Sequence, residues 1–247
     1  MSGAGESASD DFPGRAATTL RPLLDRAKTA VLATHVTPDG DGIGAEICWH
    51  SYLVSRGITA RIFNTEATPL RYRFLDERGA VEVYDEAKHG DFLRSADLLF
   101  MLDNSAPSRF GPLEAAARAS RATTVCIDHH NLIDPFWKVN LIDSDAAATG
   151  EMVYRIVEAL GGDPDFTAAQ AAYVSLVTDT GSFRFGKTSP ASHALAARLL
   201  AHGVSPPRVH EEVYERTPAS LVRLAGMALA GMRLEEDGRL AWITMSL

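Results

Sequence analysis

The chain reads as an α/β protein: a mostly parallel sheet flanked by helices, followed by a linker helix and the start of a second α/β domain. Three observations predict this. Short apolar runs recur along the first part of the 247 residues. Stretches with helical spacing lie between them, and Gly, Pro and Asp punctuate the joins. Strands that alternate with helices form parallel sheets covered on both faces.

Residues 1–13 are rich in Ser, Gly, Ala and Asp and read as a disordered tail. A first helix is expected from Arg15 to Lys28. Thr29 to Thr34 reads as a buried strand, and a Pro/Gly/Asp loop continues to Gly44. Ile47, Tyr52 and Leu53 give residues 45–56 a helical pattern that stops at Gly57. Ala60–Phe63, Val81–Tyr84, Leu98–Leu102, Thr124–Ile127 and Val139–Ile142 follow as strands. From Thr149 the pattern is mainly helical: Thr149–Leu160, Thr167–Thr178 and Ser189–His202, the last with Ser189 as N-cap and Pro190 as first helical residue. Val204-Ser205-Pro206-Pro207 marks a boundary, so residues 14–204 are expected to form the first domain. Residues 205–247 would hold helical pieces at 208–214 and 219–232, then a hairpin turning at Asp237-Gly238.

Composition narrows the class. Apolar residues make up 46% and charged residues 23%, the balance of a soluble globular chain. The apolar runs are too short to cross a membrane. MSGAGESASDDF has neither a basic nor an apolar region, so a cytoplasmic location without a secretory signal is expected. Cys48 and Cys126 belong to no CxxC and read as buried thiols. A net charge of −8 is unlike a protein that grips duplex DNA through a basic face. It is compatible with a small anionic substrate, because carboxylates can hold cations that attract phosphate.

Four clusters carry the chemistry, and each follows an apolar segment. In His35-Val36-Thr37-Pro38-Asp39-Gly40-Asp41-Gly42, glycines let one imidazole and two carboxylates converge. Asp103 ends the Leu98–Leu102 run, and Asn104, Ser105 and Arg109 after it could contact an anion. Asp128-His129-His130 ends the next strand. Adjacent histidines in extended backbone point in different directions, so one can ligate a metal while the other faces substrate. Asp128 could orient a ring nitrogen from behind. In Asp179-Thr180-Gly181-Ser182-Phe183-Arg184, Asp179 adds a ligand and Arg184 could clamp phosphate. His35, Asp39, Asp41, Asp103, His129 and Asp179 together form a carboxylate/imidazole set that suits Mn²⁺, with Mg²⁺, Co²⁺ or Fe²⁺ also accommodated. Without a thiolate ligand it is unlike a structural zinc site. Six ligands exceed the needs of one open catalytic ion, whereas two ions about 3.5–4 Å apart with a shared carboxylate account for them.

At these residues the sequence resembles the DHH phosphoesterase family, and within it the nano-RNase branch of bifunctional oligoribonucleases that also dephosphorylate 3′-phosphoadenosine 5′-phosphate. The matching segments are THVTPDGDGIGA, MLDNSAPSR, IDHH, AATGE (Ala147 to Glu151) and VTDTGSFRF, in the family's order, from about Thr34 to Phe185. The resemblance implies His35, Asp39 and Asp103 on one ion. It implies Asp41, Asp103, His129 and Asp179 on the other, with Asp103 bridging. His130 would face the scissile phosphate and Asp128 would support the histidines, as the catalytic pair. Arg184, Ser182, Arg109 and Ser105 would contact substrate. The implied substrates are short oligoribonucleotides, linear dinucleotides such as pApA, cyclic-di-AMP and 3′-phosphoadenosine 5′-phosphate. Family II pyrophosphatase shares the ligands and is the alternative enzyme reading. Two departures stand out. Asn104 replaces the usual Thr or Ser. Relatives carry a C-terminal DHHA1 domain with a glycine-rich segment ending in histidine, whereas residues 205–247 match only the linker and opening of that domain. This leaves a catalytically impaired nucleotide-binding protein as a further alternative. The oligomeric state is not fixed by the sequence, and a homodimer is among the partners it allows.

Overall fold

Six parallel strands build the sheet predicted from the sequence, in the order β3-β2-β1-β4-β5-β6. The structure, a computed structural model, describes residues 11–245. In chain order they are α1 (Phe12–Leu24), β1 (Thr29–Ala33), α2 (Gly40–Ser55), β2 (Thr59–Asn64), β3 (Val81–Val83), α3 (Glu86–Ser95), β4 (Leu98–Leu102), α4 (Leu113–Ala119), β5 (Thr123–Asp128), β6 (Val139–Ile142), α5 (Thr149–Ala159), α6 (Phe166–Asp179) and α7 (Pro190–Ala201). The chain divides into two compact units after Pro206, and this sheet lies in the first.

The central strands are covered on both faces. Every residue of β4 is buried, as are Ala30 to Ala33 of β1. This is why they appear in the sequence as continuous apolar runs rather than alternating ones. At its start β1 is tied to β4 by Asp97, whose carboxylate accepts from the backbone N–H groups of Lys28 (2.9 Å) and Thr29 (3.0 Å). At its end Thr34 Oγ1 donates to the Leu102 carbonyl at 2.9 Å. Chain order moves outward from β1 to β3 and then resumes on the other side of β1 with β4. The sheet therefore has a topological switch point between β1 and β4, where ligands commonly bind beyond the strands' carboxyl ends.

Two expectations need correction. The first helix begins at Phe12, which is buried, so the last residues of the expected tail are helical; residues 1–10 lie outside the described residues. It also ends at Leu24 rather than Lys28. The Gly-rich stretch from Gly40 to Gly44 is the first turn of α2, not a loop. Asp39 caps it by accepting from the N–H groups of Asp41 and Gly42. Glycine is tolerated there because the helix must sit close to its neighbours: a Cβ at Gly42 would lie 2.2 Å from Thr34 Oγ1, and one at Gly44 would lie 2.5 Å from the Ala171 carbonyl.

In the second unit, α8 (Pro206–His210) passes into a π-helical turn, Glu211–Glu215, and α9 spans Ala219–Ala230. β7 (Arg233–Glu235) pairs antiparallel with β8 (Leu240–Trp242) around the Asp237-Gly238 turn, as predicted. Among the described residues no helix is long and apolar enough to cross a membrane.

A buried polar chain links α2 to the ends of β2 and β1. Asn64 Nδ2 donates to Glu46 Oε2 at 2.8 Å, and the Thr34 N–H donates to Asn64 Oδ1 at 3.3 Å. Glu46 is fully buried, and desolvation raises its pKa from 4.5 to about 8. Folding then holds a proton on Glu46 that the unfolded chain has already lost, so this group's stabilisation is complete below 4.5 and declines as pH rises towards 8. Glu46→Gln keeps an acceptor for Asn64 and removes the ionisation. The expected result is that the melting temperature of Glu46→Gln minus that of the wild type grows between about pH 5 and pH 8, measured by thermal unfolding across that range.

Candidate metal centre

The carboxyl ends of β1, β4 and β5 are neighbours, so the segments that follow them meet. His35 and Asp39 follow β1, Asp103 follows β4, and Asp128 ends β5 with His129 and His130 beyond it. Asp41 joins from the first turn of α2, and Asp179 is the last residue of α6. Apart from Glu236 and Asp237 in the hairpin, the described non-glycine residues with left-handed backbone are Thr37, Asp103, Ser182 and Phe183, with φ between +58° and +64°. All four lie in segments singled out from the sequence. Such conformations are costly and persist where the surroundings impose them.

Asp103 lies between two histidines. Its Oδ2 is 3.5 Å from His35 Nε2, which is also 3.7 Å from Asp39 Oδ2. Its Oδ1 is 3.6 Å from His129 Nε2, which is 3.6 Å from Asp41 Oδ2 and 3.4 Å from Asp179 Oδ2. The other ring nitrogens face carbonyls: His35 Nδ1 is 2.7 Å from Val36 O, and His129 Nδ1 is 3.3 Å from Ala146 O. A carbonyl can only accept, so Nδ1 carries the proton and Nε2 turns a lone pair towards the carboxylates.

Among the described residues three groups of ligand atoms result, His35/Asp39/Asp103, Asp41/His129/Asp179 and Asp103/His129/His130, each with its atoms within 4.8 Å of one another. His129 Nε2 is buried and makes no hydrogen bond. Donor atoms that share one ion through bonds of about 2.0–2.2 Å sit roughly 3–4 Å apart, which is the spacing found here. The arrangement therefore fits divalent cations.

The electrostatics agree with that fit. Burial, then the charges of Asp41 and Asp39, hold Asp103 well above the usual carboxylate range. The same causes push Asp179 up to about 7. Burial lowers His129. A divalent cation reverses the penalty on each of these groups, because it favours the ionised carboxylate and the neutral imidazole.

Asp128 is buried and serves His130 rather than both histidines. Its Oδ1 accepts from the His130 N–H at 3.0 Å and from His130 Nδ1 at 2.7 Å. Burial opposes ionisation of Asp128, yet these bonds keep its carboxyl below the ordinary range. The same contact raises His130. The His130 side chain is 57% exposed, and its ring stands at 73° to that of His129, so the adjacent histidines do diverge.

The residues expected to contact substrate are placed less uniformly. Arg184 is exposed; its Nε donates to the Gly181 carbonyl at 3.1 Å and its guanidinium lies over the Phe185 ring. Ser182 is exposed in the same loop. Arg109 is exposed, with its carbonyl accepting from the Val36 N–H. Ser105 is buried, and its carbonyl accepts from Trp137 Nε1. The Asn104 side chain closes a turn on Ala106.

One supporting residue, Ser175, lies outside every segment singled out from the sequence, while Thr149 and Gly150 belong to the AATGE segment. Asp41 accepts from the N–H groups of Thr149 (2.8 Å) and Gly150 (2.9 Å) and from the Ser175 hydroxyl. Thr149 Oγ1 also reaches Asp103 Oδ1 at 3.3 Å. The available signal was at Ala148, the N-cap of α5, which has no side-chain acceptor for the first turn. Asp41 fills that role from a distant part of the chain.

Comparison with known proteins places the chain among relatives. The family model described as the DHH family, N-terminal domain, matches residues 29–178. The chain is 32% identical over 212 residues to the bifunctional oligoribonuclease and PAP phosphatase NrnA of Thermus thermophilus, covering 85% of this chain and 60% of that protein. It is 26% identical to the protein of the same name from Bacillus subtilis, covering 90% of this chain and 68% of that one. Among solved structures, an exopolyphosphatase-related protein from Bacteroides fragilis shares the fold with a TM-score of 0.88 at 24% identity, covering 94% of this chain and 69% of that one.

The Asp41 support has little spare room. A Cβ on Gly150 would lie 2.2 Å from Ser175 Oγ. Gly150→Ala is expected to destabilise by about 1–3 kcal/mol and to weaken divalent-cation binding. Adding Ser175→Ala should recover part of the stability but not the metal affinity, as read by thermal unfolding and calorimetry of the two variants.

Proposed function

The chain belongs to the DHH family, and from that premise we propose that it is a metal-dependent phosphoesterase working through two divalent ions. The observation that carries this reading is Asp103, whose two carboxylate oxygens face two separate histidine–carboxylate groups. His35, Asp39 and Asp103 would hold one ion, and Asp41, Asp103, His129 and Asp179 the other. Mn²⁺ suits this mixed set best.

When bound, such ions supply Lewis acidity towards a phosphoryl oxygen and lower the pKa of water. The remaining work falls to side chains. Asp41 is fixed by three donors and cannot swing, so it sets where one end of the site lies. His130 keeps its side chain 57% exposed, while Asp128 holds the ring through Nδ1 and favours its protonated form. In that state it can donate to a phosphoryl oxygen or to the departing oxygen. Arg184 would leave its carbonyl contact to meet a substrate phosphate, and Arg109, Ser182 and Ser105 complete the proposed contact set.

The proposed substrates are short oligoribonucleotides, linear dinucleotides such as pApA, and 3′-phosphoadenosine 5′-phosphate. The names of the Thermus and Bacillus relatives support this class.

The test is an assay panel of pApA, a ribodinucleotide, 3′-phosphoadenosine 5′-phosphate, cyclic-di-AMP and pyrophosphate, each with Mn²⁺, Mg²⁺, Co²⁺ or EDTA. Hydrolysis of the nucleotides with a divalent ion, abolished by EDTA, is expected. Turnover of pyrophosphate alone, or binding without turnover, would count against the proposal. Asp103→Ala should remove activity and the binding of two ions together. His130→Ala should cost about 10²–10⁴-fold in kcat while leaving metal stoichiometry unchanged, checked by kinetics beside calorimetry.

A further inference from the structure

We propose that Lys187 is a phosphate-binding residue of this site and that it biases the site towards phosphomonoesters over phosphodiesters. The inference rests on the phosphoesterase reading above and names the substrate charge which that site prefers. Lys187 lies two residues beyond the VTDTGSFRF segment, in the loop between α6 and α7, and belongs to none of the matching motifs. The loop turns back through the left-handed Ser182 and Phe183. This brings Lys187 Nζ to 3.4 Å from His129 Nδ1 and 3.4 Å from the His129 carbonyl.

Those contacts underuse the ammonium. It carries three N–H donors and no acceptor. His129 Nδ1 faces the Ala146 carbonyl as a donor, so it has no lone pair for Lys187. The carbonyl contact is at the outer limit of a hydrogen bond. The residue is exposed, so its flexible stem can carry the charge towards a ligand on the cluster. Its positive charge is felt at His129, His130 and Asp179. Arg184, by contrast, is engaged with a carbonyl and an aromatic ring.

Charge balance gives this placement a consequence. The four carboxylates Asp39, Asp41, Asp103 and Asp179 match the charge of two divalent ions, so a loaded cluster has little net charge left for substrate. A diester brings one negative charge and a monoester close to two. An additional cation at the rim therefore favours the monoester.

The experiment compares Lys187→Met and Lys187→Arg with the wild type as metal-loaded full chains. Calorimetry measures inorganic phosphate and Mn²⁺ binding, and kinetics compare 3′-phosphoadenosine 5′-phosphate with the ribodinucleotide ApA. For Lys187→Met, phosphate affinity should fall about tenfold, the size of one charge-assisted hydrogen bond. The specificity constant for the monoester should fall about tenfold more than that for the diester, through KM, and Lys187→Arg should restore most of it. Mn²⁺ affinity should hold or rise, because a neighbouring cation has been removed. Equal losses on both substrates would overturn the proposal. So would a fall in Mn²⁺ affinity alongside phosphate affinity, which would make Lys187 a support for His129. A wild type inactive on both substrates would sink the phosphoesterase reading instead, and phosphate calorimetry would still decide the role of Lys187.

Discussion

Mutual repulsion among Asp39, Asp41, Asp103 and Asp179 is the constraint on which the rest of this structure depends. Four carboxylates gathered around two imidazoles would separate if their backbones allowed it. Each is restrained differently. Asp41 is held by two helix N–H groups and a hydroxyl, and Asp39 by the start of its own helix. Asp103 is held by its fixed backbone turn and the Thr149 hydroxyl, and Asp179 by the end of α6. The folded chain thus keeps the ligand oxygens in place before any cation arrives, which is the preorganisation a metal centre requires.

The sheet makes this concentration geometrically simple. Because β1 and β4 are adjacent, residues more than sixty positions apart emerge side by side, and β5 adds the histidines one strand further on. The helices then close in. α2 and α6 pack against each other extensively, with glycine at the crossing, so Asp41 and Asp179 approach the strand ends from one side. Small residues at that crossing are as much a part of the centre as the charged ones, since a bulkier contact would move both carboxylates.

Much of this was legible in the amino-acid order. The sheet strands were readable because burial on both faces leaves unbroken apolar runs. The six ligand-type residues were readable because each stands next to such a run, where a charged group needs a reason. The glycines of α2 misled: their helix propensity is poor, and only the neighbours that press on them explain why the helix extends through them. Phe12 was hidden in a polar tail because a single apolar residue has no periodicity. α3, with Lys88, Asp91 and Arg94 among its ten residues, shows little apolar pattern. Ser175 and Lys187 act across separations of 134 and 58 residues, and nothing local marks them.

The left-handed turn at Asp103 has a consequence for how this protein could change over generations. Asparagine is, after glycine, among the residues most at ease in that conformation, and it has nearly the shape of aspartate. A single transition in the codon converts one into the other. The exchange would relieve part of the repulsion in the cluster and leave the backbone undisturbed, while removing the charge that two ions would share. Loss of the shared ligand charge therefore lies one base change away, with the fold intact and if anything steadier. A lineage of this chain could lose that carboxylate without first passing through an unstable ancestor.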